Sequence, residues 1–66
     1  MSNNKPIQIT PRNANALANI LQQQAMPIMA KQLTVIAVNA ARNNRELILI
    51  EDKHQIAAWN LYKDLI

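Results

Sequence analysis

A chain of 66 residues allows one domain, and a domain this small buries only about 60% of the surface its unfolded form exposes. Half of the residues are hydrophobic, but Trp59 and Tyr62 are the only aromatics, and Cys, Gly and Phe are absent. That composition excludes disulfides, thiolate metal sites and glycine-cradled nucleotide loops, leaving association as the remaining route to extra stability. The formal charge of +3, with a pI near 9.8, favours polyanionic partners.

Residues 1–9 read as a flexible N-terminal arm, polar and Pro-containing, with Ile7 and Ile9 alternating around Gln8. The arm opens MSNNKPIQ, with no apolar signal segment, so a cytoplasmic location is expected. A helix start follows: the Thr10 hydroxyl can cap, and Pro11 suits the first helical position, where its missing N–H costs nothing. From there to about Asn43 only Pro27 opposes a helix. Ala14, Leu17, Ile20, Leu21 and Ala25 share one face at about 100° per residue. After Pro27 the stripe is Met29, Leu33, Ile36, Ala37 and Ala40, rotated by roughly a third of a turn. Two helices meeting at Ala25–Pro27 and one long kinked helix both fit. Gln22–Gln23–Gln24–Ala25 contains no turn residue, which favours the long helix.

Residues 26–41 are apolar around most of the helix, as in a helix covered on several sides. Lys31, Gln32 and Asn39 interrupt them, so the segment is too polar to span a bilayer. Asn43–Asn44 offers a helix-ending turn, because Asn tolerates the left-handed conformation, and Arg42 and Arg45 flank it. Leu47–Ile48–Leu49–Ile50 reads as a short buried strand or connector that needs a partner strand, with a second chain as one source. A last helix is expected from near Glu51–Asp52 to the C-terminus, apolar on two sides. His54, Ala57, Ala58, Leu61 and Leu65 line one side; Ile56, Trp59 and Ile66 lie opposite, with Tyr62 between.

No catalytic constellation is evident. The hydroxyls are Ser2, Thr10, Thr34 and Tyr62, and none is paired in sequence with a base and an orienting group. His54 is the sole histidine, so no metal or cofactor site is expected. The candidate DNA contacts are Arg12 at the start of the first helix, Arg42 and Arg45 around the Asn turn, Lys5 in the arm and Lys53 in the last helix. Without an aromatic platform for stacking, contact with the duplex backbone is favoured over single-strand binding.

The run Arg42–Asp52 resembles the second loop of a histone fold, that of small archaeal-type or bacterial histones most closely. A basic residue, a short β-like segment with a central Ile, and an acid–Asp pair lead into the final helix. Upstream, Ile9–Thr10, Ala16–Leu17–Ala18 and Ile20–Leu21 are similar to the start of that family's long central helix. The departures are a short, polar segment before Thr10, Pro27 inside the central helix, and Glu46 where a second basic residue usually stands. The helical lid of an AAA+ ATPase is similar over the same segment.

The histone resemblance implies an all-α fold: a long central helix, a short extended loop segment and a C-terminal helix, with residues 10–66 completed by dimerisation. Two chains would pair head to tail, aligning their 47–50 segments and setting Arg12 beside the other chain's arginines. Leu33, Ile36, Ala37, Ala40, Ile48, Ile50, Trp59 and Tyr62 would lie at the interface. The function implied is that of a non-catalytic, nucleoid-associated protein gripping duplex phosphates as a dimer or tetramer. A helical adaptor that docks on a protein partner through its apolar faces is the alternative.

Overall fold

The computed structural model describes residues 5–66. Three helices and a two-stranded sheet follow one another as β1 (Ile7–Ile9), α1 (Pro11–Gln23), α2 (Pro27–Arg42), β2 (Ile48–Ile50) and α3 (Lys53–Tyr62). A 3₁₀ turn, Lys63–Leu65, follows α3. The protein is therefore mostly helical rather than strictly all-α. The part of the expected arm at residues 1–4 lies outside the described residues, but Ile7–Ile9 is a strand rather than an arm. It runs antiparallel to β2 in the register Ile7↔Ile50, Gln8↔Leu49, Ile9↔Ile48. The partner that the LILI segment requires is thus supplied by this chain itself.

The expected single long helix is two helices. Gln24 caps α1, and Ala25 adopts a left-handed φ of 60°. The N–H of Met26 then donates to the Leu21 carbonyl at 3.0 Å, and that of Ala25 to Gln22 at 3.3 Å. These are the paired 6→1 and 5→2 bonds of a Schellman ending. Pro27 cannot continue a helix but can begin one, and it occupies the first turn of α2. The rotation of the apolar stripe at this point is the mark of two elements packing against each other. α2 ends in the same way: Asn44 has φ 55°, Arg45 N–H donates to the Ala40 carbonyl at 2.9 Å and Asn44 N–H to Ala41 at 3.2 Å. In a chain without glycine, an alanine and an asparagine hold the two left-handed positions found among the described residues.

The starts of α1 and α3 are capped by side chains. Thr10 Oγ1 accepts from Asn13 N–H at 3.1 Å, with Pro11 in the first turn as expected. Asp52 Oδ1 accepts from the N–H groups of His54 and Gln55 at 2.8 and 3.1 Å, which starts α3.

The core is aliphatic. Leu17 and Leu21 of α1, Leu33 of α2, Ile50 of β2 and Ile56 of α3 are fully buried, with Ile9 and Ile48 beside them. Six buried alanines (Ala14, Ala18, Ala30, Ala37, Ala40 and Ala58) fill the space between the elements. Sheet alternation explains one exposure pattern: Ile48 and Ile50 face inward with Ile9, while Leu49 faces outward beside Gln8.

Within the single chain this packing already covers most of the expected dimer interface. Leu33, Ala37, Ala40, Ile48 and Ile50 are buried in the chain's own core, and Ile36, Trp59 and Tyr62 are partly buried against it. Among the described residues the exposed large apolar side chains are Met26, Ile28, Val35 and Val38 at and along α2, Leu47 and Leu49 around β2, and Leu61, Leu65 and Ile66 near the C-terminus.

Candidate nucleic-acid interface

The three-residue link between α1 and α2 turns them into an antiparallel hairpin, setting the start of α1 against the end of α2. Pro11, Arg12 and Asn15 share a shallow groove with Ala37, Val38 and Ala41. Arg42 follows Ala41 directly, and the Schellman bond folds Arg45 back onto the last turn of α2. The sheet register supports the same arrangement. Pairing of Ile9 with Ile48 places Arg12, three residues after Ile9, at the ladder end where Arg45 stands three residues before Ile48. Arg12, Arg42 and Arg45 are all exposed. The sequence expectation set Arg12 beside a second chain's arginines; here one chain brings the three to the same end.

Lys5 and Lys53 do not join them. Lys5 precedes Ile7 and Lys53 follows Ile50, so both belong to the opposite end of the ladder, and both are exposed. The five expected contacts therefore divide into an arginine end and a lysine end.

Electrostatics at the arginine end are mixed. α1 has no acid in its first turn, and Arg42 lies in the last turn of α2, where a cation complements the helix dipole. Glu46 adjoins Arg45 and dilutes the positive charge. The free N–H groups expected at the start of α1 are few: Pro11 has none, and Asn13 donates to Thr10, leaving Arg12 N–H in the first turn. A phosphate would be held there chiefly by guanidinium groups. Asn15, one turn after Arg12 on the same face, was not singled out from the sequence; its i+3 spacing was the available signal.

Other polar side chains are occupied structurally. The Thr34 hydroxyl donates to the Ala30 carbonyl at 2.9 Å, and Asn43 Nδ2 donates to the Asn39 carbonyl at 2.8 Å. Gln55, the buried polar residue of the core, donates to Gln32 Oε1 at 3.4 Å. His54 lines a mainly apolar groove with Met26, Met29, Ala57, Leu61 and Tyr62. Among the described residues no group of three or more His, Asp or Glu side chains could hold a metal ion. Nor, among them, is any helix long and apolar enough to cross a membrane.

No family model matches the chain, and no curated protein or solved structure matches it either.

Proposed function

We propose that the chain is a non-catalytic architectural protein that grips the phosphate backbone of duplex DNA and works as a homo-oligomer in the cytoplasm, on the nucleoid. The observation that supports this reading is the antiparallel α1–α2 hairpin, which brings Arg12 at the start of α1 against Ala41 in the last turn of α2, the end of the hairpin from which Arg42 and Arg45 follow. Three guanidinium groups on exposed helix ends suit phosphate contact, because each is permanently charged and can engage oxygens bidentately. The absence of an aromatic stacking platform favours duplex over single strand. The likeness to histones rests on the Arg42–Asp52 run and on the residues that open α1, while the helix break at Ala25 departs from a long central helix.

The test is gel-shift titration on unrelated duplexes with the native chain and an Arg12→Ala/Arg42→Ala/Arg45→Ala variant. The expected result is sequence-indifferent binding at low salt that the triple variant loses. Absence of binding at low salt, or binding that survives high salt, overturns the reading. A second reading, a helical adaptor for a protein partner, is favoured by the exposed Ile28, Leu61 and Leu65. Under it, the triple variant keeps its partner and its function.

A further inference from the structure

We infer that Met26, Met29 and His54 form a binding site for copper(I), with two thioether sulfurs and one imidazole nitrogen as ligands. The inference goes beyond the proposed function and does not depend on it. Met26 and Met29 lie at the start of α2, whose 16 residues put them roughly 24 Å from the arginine end of the hairpin. A single histidine without cysteine pointed to no metal site in the sequence, and the thioethers supply what those donors lack.

Two helix starts make the site. The left-handed turn at Ala25 and the bond from Met26 N–H to the Leu21 carbonyl fix where α2 begins. Met26 is its N-cap residue and Met29 stands three positions on, a spacing that sets side chains above one another on one side of a helix. Opposite, Asp52 accepts from His54 N–H and so fixes the first turn of α3, which carries the imidazole. Met26, Met29 and His54 then line one groove, walled by Ala57, Leu61 and Tyr62. Local packing does not account for two of these donors. At the N-cap a Ser, Thr, Asp or Asn would accept a hydrogen bond, whereas Met26 makes none and stays 40% exposed. His54 is exposed as well, and among the described residues no hydrogen bond engages its ring.

The donor set selects the ion. A thioether sulfur is soft and uncharged, a ligand for Cu(I) rather than for hard cations, and imidazole suits copper equally. Two sulfurs and one nitrogen give a soft monovalent ion a complete trigonal set of neutral ligands. Structural zinc takes four ligands from Cys, His and carboxylates, and this groove offers one of them. Calcium and magnesium require oxygen ligands, and Cu(II) prefers tetragonal nitrogen and oxygen sets. The rest of the groove is mainly apolar, and an apolar wall costs a doubly charged ion far more than a singly charged one. Ligand softness and surroundings therefore agree on Cu(I).

The test is an anaerobic titration of the full chain with Cu(I), kept reduced by ascorbate, in competition with the coloured chelator bicinchoninate. One Cu(I) per chain is expected, with the methyl resonances of Met26 and Met29 and the ring resonances of His54 shifted in NMR spectra. Met26→Leu and His54→Gln alter exposed residues, and Met29→Leu nearly conserves volume, so all three are expected to fold, checked by circular dichroism. Each should weaken Cu(I) binding by at least about tenfold, since even the groups behind a metal ligand are worth that much. Zn(II) titrated in the same way should leave the three residues' resonances in place. Failure of the folded chain to bind Cu(I) overturns the inference. So does binding that the three variants leave unchanged, or a Zn(II) response at the same residues as strong as that of Cu(I). Each of these results leaves the DNA-binding reading standing, because the gel-shift titrations contain no copper.

Discussion

Ala25 takes a left-handed backbone conformation that an L-residue with a Cβ adopts at a cost of about 1–2 kcal/mol. Glycine is the usual occupant of this position, and Ala25→Gly should remove most of that cost. Part of the gain is offset by the greater entropy that glycine brings to the unfolded chain. The expected outcome is a stabilisation of about 1 kcal/mol, read as a higher urea midpoint with an unchanged slope. Asn44 is better suited to its left-handed site, so Asn44→Gly should change stability less. At the caps the sign reverses. Thr10→Ala removes the acceptor for Asn13 N–H, and Asp52→Ala removes the acceptor for His54 and Gln55 N–H. Each should cost about 1 kcal/mol in the same denaturation experiment. Asp52 is thereby a structural residue: its carboxylate holds the start of α3.

The elements differ in how much of themselves they bury. α1 and α2 each place four residues in the core, packing along the hairpin, and Leu33→Ala should cost about 2–5 kcal/mol. For a chain this short, that is comparable to its whole stability, so the variant should be largely unfolded by circular dichroism. α3 is held by a narrower contact, through Gln55, Ile56 and Ala58. The sequence marks α3 as apolar on two sides; the fold covers Ile56 fully and leaves Leu61 at 69% and Leu65 at 73% exposure. Ile56→Ala should therefore destabilise strongly, by about 2–5 kcal/mol. Leu61→Ser should leave the urea midpoint nearly unchanged, as surface substitutions usually do. β1 is the element that the sequence hid most completely. The alternation of Ile7 and Ile9 around Gln8 is visible, but a single repeat within a polar stretch is too short to mark a strand, and its strand character comes from pairing with β2.

At the scale of the molecule the radius of gyration is 11.0 Å, close to the roughly 10.8 Å expected of a compact domain of this length. Closing its own core changes what a second copy would be needed for: cover for an outer surface, rather than a missing half of the core. If three arginines per chain meet phosphates, log affinity for duplex DNA should fall with log salt at a slope of about −2.7 per protomer. Arg42→Ala alone should reduce that slope by about 0.9 and weaken unrelated sequences equally. Both follow from gel-shift or fluorescence titrations at several salt concentrations.

Local chemistry was legible in the sequence wherever neighbouring residues decide the outcome. The Thr10–Pro11 helix start, the Asn turn after Arg42, the acidic start of α3 and the aliphatic character of the core all depend on residues within a turn of each other. The sequence also carried a trace of the Ala25 break, in the rotated stripe and in Pro27. The missing turn residue outweighed it, because alanine has no local reason to be left-handed. Only tertiary structure decided which strand pairs with LILI, which apolar residues are buried within the chain, and which basic residues share an end. Each depends on contacts between segments distant in sequence, whose free energy no local pattern records. The need for a partner strand was visible from the outset; that β1 of the same chain meets it came from the fold.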